Sequence, residues 1–256
     1  MKSIYFLSIL FVVAATTQPV VAETPLPSIT ATQATLEQSE SVNDLTDRGM
    51  HFEAISRVIQ AAQLNLSEKV AAARSAWALG LVEMARSYWD EALVVPEFEG
   101  IERSRALLAR SILELQEGSL EKARMLAEKS ANGLTRSDLK AQLWLVIAES
   151  LKEQGAPSLA EGYYRKAIED GSDAIAQEGR FLLGECLLEL GRLPDARYSF
   201  ASVDIQSPIA HRALRRLAEI DLMQKHYEGV LTWIKEGRDL GAAELRDSWS
   251  SYASAT

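Results

Sequence analysis

The stretch from Phe181 to Pro208 reads as two short helices joined by a turn, and this pattern constrains the rest of the chain. Gly191 interrupts the first helical pattern, and Pro194 suits the first turn of a second helix, where a missing N–H costs nothing. Apolar side chains at helical spacing mark the first helix, at Leu183, Cys186, Leu187 and Leu190. Because one such hairpin cannot bury its apolar face alone, the stretch predicts stacked copies of itself.

Copies of the hairpin precede and follow this stretch. They span residues 73–96, 108–127, 144–167 and 214–234, and residues 49–61 resemble the second half of a degenerate first copy. Trp89, Tyr164 and Phe200 occupy one equivalent position, which predicts core packing. No stretch shows sustained alternation of apolar and polar residues, so we expect almost no strand.

The residue order in these hairpins resembles the tetratricopeptide repeat. In that family a large residue is followed by Leu-Gly, an aromatic, a turn glycine, then Ala, an aromatic, Ala and a closing Pro. The clearest copy matches at Leu183, Gly184, Gly191, Ala196, Phe200 and Pro208. The resemblance covers about residues 40–237. It implies an all-α, right-handed superhelical solenoid of about five to six antiparallel helix pairs, with a concave groove lined by the first helix of each pair.

The resemblance assigns a partner-binding groove to ten residues of the first helices. These are Arg74, Trp77, Arg103, Arg110, Glu149, Phe181, Glu185, Leu188, Arg212 and Arg215. The predicted groove runs basic, acidic, basic, with Trp77, Phe181 and Leu188 as candidate apolar anchors. Such alternation could fix the direction of a bound segment; the alternative is that these are ordinary solvated charges. The Lys and Asn constellation by which some family members grip a C-terminal carboxylate is missing from the corresponding positions.

Residues 1–22 have the features of a signal peptide. Lys2 precedes a mostly apolar run of 12 residues, Ile4–Ala15, which is shorter than the roughly 20 residues of a membrane span. We expect cleavage near Ala22 and export to a bacterial periplasm, or secretion; an uncleaved anchor is the alternative. Residues 23–39 are predicted to form a flexible tether.

The other end of the chain departs from the repeat pattern. Residues 238–256 are predicted to form a capping helix and tail, in which Leu245, Trp249 and Tyr252 dock on the last repeat. Two alternatives remain, a disordered tail with a short binding motif and an end that stacks copies of the chain.

The net charge and the absence of known motifs argue against several classes of function. The chain carries 27 basic and 36 acidic residues, so its net charge is −9, which becomes −10 if Lys2 is removed with residues 1–22. With no basic run, this argues against nucleic acid and anionic lipid as partners. No metal-ligand spacing, phosphate loop or nucleophile motif is present, so we predict no metal, cofactor or catalytic residue. Cys186, the single cysteine, is predicted to be a buried core residue.

These features predict a non-enzymatic interaction scaffold or adaptor of the periplasm or cell envelope, binding a peptide segment or partner domain. The run Tyr198–Pro208 is also similar to the last repeats of the periplasmic coordinator family of the Tol-Pal system, which implies the same compartment. One alternative is a self-assembling envelope protein that forms homo-oligomers. Another is a cell-wall-acting enzyme, which would have a pocket containing a Glu of raised pKa beside a second carboxylate.

Overall fold

The computed structural model describes residues 40–239, and over that range twelve helices follow one another without a strand. These residues fall into two compact units, 40–117 and 118–239. The first unit contains α1 (Val42–Asp47), α2 (His51–Gln60), α3 (Leu66–Ala78), α4 (Val82–Leu93) and α5 (Gly100–Gln116). The second contains α6 (Leu120–Ala131), α7 (Asp138–Glu153), α8 (Pro157–Asp170), α9 (Asp173–Glu189), α10 (Leu193–Ala201), α11 (Ala210–Met223) and α12 (Tyr227–Asp239).

Within each unit every helix packs on the next along the chain. In the first unit α1 also packs on α3, and in the second α7 also packs on α9. First helices therefore contact first helices of the neighbouring pair, which is how stacked helix pairs bury a continuous core. The predicted all-α array of helix pairs is confirmed.

Left-handed turn residues end the first helices of the second unit. Gly155 and Gly191 have φ of 80° and 71°, a region that glycine enters without a Cβ clash. After Gly191 the amide of Arg192 donates to the carbonyl of Leu187 at 2.9 Å, which satisfies the end of α9. Lys225 takes the same conformation, at φ 60°, in the turn between α11 and α12. The same left-handed turn therefore forms at Lys225, where lysine stands in place of glycine.

The core of the second unit depends on one close approach between α9 and α10. A Cβ at Gly184 would lie 2.6 Å from Phe200, so only glycine fits beneath that ring. Phe200, Tyr164 and, in the first unit, Trp89 are all buried. The prediction that these three aromatic residues pack in the core is confirmed.

Three predictions fall on residues outside the described range. They concern the signal peptide at 1–22, the tether at 23–39 and the C-terminal cap, of which only the first two residues of 238–256 are described, as the end of α12. In the part of the chain that the structure describes, no helix has the length and apolar character needed to cross a bilayer.

Candidate partner-binding site

The ten predicted groove residues are divided between the two units. In the first unit, α3 holds Arg74 and Trp77, and α5 holds Arg103 and Arg110. In the second unit α7, α9 and α11 hold the other six, Glu149, Phe181, Glu185, Leu188, Arg212 and Arg215. The two sets are described separately below. Their role in binding a partner stays a prediction.

Arg110 is built into the interior of the first unit. The residue is 5% exposed, and its guanidinium donates to Asp90 at 2.6 Å and to Glu114 at 2.9 Å. Its Nη1 is buried without a hydrogen-bond partner. Such a side chain holds α4 and α5 together and offers little surface to a partner.

The other basic residues of the first unit also have polar partners. Arg74 donates to Asp47 at 3.0 Å in an exposed ion pair, and Arg103 donates to the carbonyl of Phe98 at 2.9 Å. Trp77 is half-buried and packs against the core of this unit. At the predicted basic start of the groove, Arg74 and Arg110 are therefore paired with carboxylates of this unit, and Arg103 keeps its charge.

Glu149, on α7, lies at the centre of a buried polar cluster in the second unit. The residue is 7% exposed, and both of its carboxylate oxygens accept from Lys152 Nζ at 2.8 Å. The hydroxyl of Tyr164, from α8, donates to the same carboxylate. Burial alone would lower the pKa of Lys152, but the nearby carboxylates, Glu149 first and then Glu189 and Glu153, together more than offset this and the pKa is raised.

A second cluster joins α9 to α11. Arg216 makes a two-pronged contact with Glu185, with Nε and Nη2 at 2.6 Å and 2.7 Å from its two oxygens. The remaining guanidinium nitrogen, Nη1, donates to Glu219 at 2.6 Å. Arg215, the next residue, is exposed and lies 3.7 Å from Glu219. Paired planar donors and acceptors of this kind fix the helices in one register.

Arg212 differs from the other predicted arginines because an aromatic ring, and not a hydrogen-bond acceptor, is the group in contact with its guanidinium. Its guanidinium carbon lies 4.2 Å from the centroid of the Phe181 ring. The guanidinium makes no hydrogen bond or ion pair with any residue in the described range, and the Glu185 and Glu178 carboxylates act on it only through their charge. Phe181 is 3% exposed and packs on Phe200, with ring centroids 5.5 Å apart. Phe181 is therefore a buried ring on which the Arg212 guanidinium stacks, and it is not an exposed apolar anchor.

Glu178 lies near Arg212 and Glu149, although its sequence position did not mark it as a groove residue. It lies on α9 and is 3% exposed. Burial raises the pKa of Glu178 to about 7; the nearby Arg212 opposes the shift, and the Glu149 carboxylate adds to it. The repeat phase could have found it, because Glu178 precedes Arg212 by 34 residues, one repeat length.

The second unit also contains the single cysteine of the chain. Cys186 is buried, as predicted, and its thiol donates to the carbonyl of Pro157 at 3.2 Å. Burial raises the pKa of this thiol to about 11, which disfavours the reactive thiolate. Within residues 40–239, no group of three or more metal-ligating side chains is assembled.

Comparisons with known proteins agree with this architecture. Residues 145–210, which run from α7 to the start of α11, match the family described as tetratricopeptide repeat. No curated protein matches the chain in sequence.

Three solved structures superpose on most of the chain. YrrB, described as a TPR protein with an unusual peptide-binding site, has a TM-score of 0.53 at 20% identity, covering 80% of this chain and 98% of its own. Pseudomonas aeruginosa pilF has a TM-score of 0.59 at 11% identity, covering 86% and 99%. A Rap protein complexed with Competence and Sporulation Factor has a TM-score of 0.56 at 12% identity, covering 87% and 80%. The fold is therefore tetratricopeptide-like.

Proposed function

We propose that this chain is a non-enzymatic protein-binding module that holds a peptide segment or partner domain on the first helices of its second unit. The observation that carries the proposal is the set of side chains on α7, α9 and α11, where the charged groups Glu149, Glu185 and Arg216 share these helices with the half-buried Leu188. Mixed charge beside an apolar contact is suited to selecting one partner in one orientation. YrrB, with its peptide-binding site, and the Rap complex give the fold a precedent for this use.

One observation favours the alternative that the protein is an enzyme. Glu178 has a raised pKa and a second carboxylate acts on it, as a carboxylate enzyme would require. A general acid must also lie within hydrogen-bond reach of its substrate. Glu178 is almost fully buried, so the binding role accounts for more of the site.

Binding on this face is tested by two matched leucine variants. Leu188→Glu changes a half-buried residue of α9, and Leu159→Glu makes the same change at a 63% exposed residue of α8. Peptides selected from a random 12-residue display library would be measured against both by fluorescence anisotropy. We expect Kd to rise at least about tenfold for Leu188→Glu, a cost of about 1.4 kcal/mol, and to stay within about twofold for Leu159→Glu.

Two outcomes of that experiment contradict the proposal. Failure of the wild type to select any peptide would remove peptide binding as the function. Equal weakening by the two variants, with circular dichroism showing both folded, would place binding away from the first helices.

The proposed compartment is the bacterial periplasm or cell envelope. It is supported by the charged start and short apolar run of residues 1–22 and by the resemblance of Tyr198–Pro208 to the Tol-Pal coordinator family. We expect the protein expressed from its full gene to appear in the osmotic-shock fraction with Glu23 as its N-terminus. Retention of residues 1–22 on a membrane-bound protein would instead support the uncleaved anchor.

Self-assembly into an envelope structure is the remaining alternative. Its candidate contacts, Trp249 and Tyr252, lie outside the described residues, so it has less support than the binding role.

A further inference from the structure

Two large apolar side chains are exposed on one face of α2 in the first unit. Phe52 is 76% exposed and Ile59 is 71% exposed. Residues seven apart on a helix lie on the same face, with the residue four places after the first between them. Phe52, the exposed Ser56 and Ile59 therefore form one continuous strip of surface, which we call the α2 stripe.

The second helices of the other pairs show that these positions are ordinarily polar or small. Each second helix contains a fully buried residue that aligns it with Ala54 of α2, and these residues are Ala85, Ala123, Ala160, Ala196 and Val230. In this alignment the position of Phe52 holds Glu83, Glu121, Ser158, Pro194 and Glu228. The position of Ile59 holds Asp90, Glu128, Arg165, Ala201 and Lys235. Within residues 40–239, no other second helix has a large apolar residue at either place, so the repeat fold itself does not require the α2 stripe.

The α2 stripe is complementary to a second copy of itself. When two α2 helices lie antiparallel across a two-fold axis beside Ser56, Phe52 of each copy packs on Ile59 of the other. The small Ser56 side chain allows the helices to approach closely at the axis.

The charges beside the α2 stripe fit the same arrangement. Glu53 and Arg57 are four residues apart and therefore lie on one flank of the stripe. Antiparallel pairing places Glu53 of each copy opposite Arg57 of the other, so opposite charges meet at both ends of the contact. One helix thus supplies both apolar groups and both charges that a two-fold contact needs.

We propose that the α2 stripe is the contact between two copies of this chain, which form a dimer through antiparallel α2 helices. This inference uses residues of the first unit alone and does not depend on the proposed binding of a peptide by the second. A two-fold contact is closed, so it gives dimers and not an extended envelope structure.

The length of α2 limits the strength of such a dimer. The helix has ten residues and is therefore about 15 Å long. Two helices of this length bury less surface than the roughly 1,200 to 2,000 Å² of a stable interface. We therefore expect a weak dimer that dissociates on dilution.

Sedimentation equilibrium of residues 23–256, at concentrations from about 10 μM to 1 mM, measures the dissociation constant of the dimer. Phe52→Glu would be compared with Leu159→Glu, the same kind of change at a 63% exposed residue of α8. We expect Kd to rise at least about tenfold for Phe52→Glu, because it places a charge in the apolar contact, and to stay within about twofold for Leu159→Glu.

Disulfide crosslinking tests the position of the two-fold axis. A disulfide joins Cα atoms about 4.4 to 6.8 Å apart, which only residues near the axis can satisfy with their own counterparts. Ser56→Cys should therefore give a covalent dimer on mild oxidation. Ser87→Cys should remain monomeric, since Ser87 is the exposed serine at the equivalent place in α4. The wild type, whose single Cys186 is buried, is the blank.

Three outcomes would overturn the proposal. A dimer with unchanged Kd in Phe52→Glu, or one that Ser56→Cys does not crosslink, would place the interface elsewhere. A wild type that is monomeric at about 1 mM would remove the dimer, and hydrogen exchange of α2 with and without residues 23–39 would then identify the occupant. Protection lost with those residues would assign the α2 stripe to them, and equally fast exchange in both would leave it for a different protein. Phe52 and Ser56 are exposed, so neither substitution removes a core contact.

Discussion

Replacing Lys152 with Met is expected to lower the free energy of unfolding by about 3 to 5 kcal/mol, the cost of removing one partner from a buried ion pair. Lys152 Nζ lies 2.8 Å from both oxygens of Glu149, and both side chains are about nine-tenths buried. Met keeps the aliphatic stem of Lys152, so the loss reports the unpaired carboxylate rather than a cavity. Urea denaturation followed by tryptophan fluorescence measures the effect.

A second substitution distinguishes this explanation from simple loss of packing. The double variant Glu149→Gln, Lys152→Met removes both charges and keeps an acceptor for the Tyr164 hydroxyl. It should recover most of the loss, because replacing both partners avoids an uncompensated charge. Arg165→Met, which removes an exposed ion pair with Glu161, should cost no more than about 1 kcal/mol. A Lys152→Met cost equal to that of Arg165→Met would contradict the buried-pair account.

The helical repeat could be predicted from the sequence because it rests on periodic apolar spacing. The hairpin around Gly184 and Phe200 illustrates this, since a small residue opposite a large one in phase with other copies specifies a close helix crossing. The structure gives that crossing its physical cause, a Cβ that would lie 2.6 Å from the ring.

The site residues were harder to predict than the fold. The position of a residue on a helix fixes where its Cα lies, but it does not fix which groups its side chain contacts. Glu149 and Arg110 occupy groove positions in the repeat, but both are buried by partners on neighbouring helices. Phe181 likewise has a groove position and a core side chain. Pairing of this kind depends on which residue of a neighbouring helix faces the side chain, and the sequence alone does not show this.

Glu178 is the reverse case, because it was not predicted as a site residue and yet lies near Arg212 and Glu149 in the structure. Its helix offers many carboxylates, and their sequence positions alone do not distinguish a buried one from a solvated one. The charged groups that act on it come from two helices, Arg212 from α11 and Glu149 from α7. Ile168 of α8 packs closely against Gly179 of α9, and Phe200 of α10 packs closely against Gly184. Burial therefore dominates the ionisation of this carboxyl.

Glu178→Gln is consequently expected to stabilise the protein in a pH-dependent way. The pKa of Glu178 rises from an ordinary value of 4.5 to about 7 on folding, so the folded state binds more protons than the unfolded state between these values. The stability of the wild type should then fall as pH rises from 4.5 to 7 and level off above 7. This rise in the pKa of Glu178, from 4.5 to about 7, corresponds to about 3 kcal/mol. Gln resembles the protonated acid in shape and has no such dependence.

The difference in unfolding free energy between Glu178→Gln and wild type isolates this one group, because every other titrating residue is common to both. It should be close to zero near pH 4.5 and reach about 3 kcal/mol in favour of the variant at pH 8. Urea denaturation at these two pH values measures it, and Glu185→Gln should behave differently, since removing that carboxylate takes away a partner of Arg216. A Glu178→Gln variant that is no more stable than wild type at pH 8 would mean that Arg212 holds Glu178 ionised.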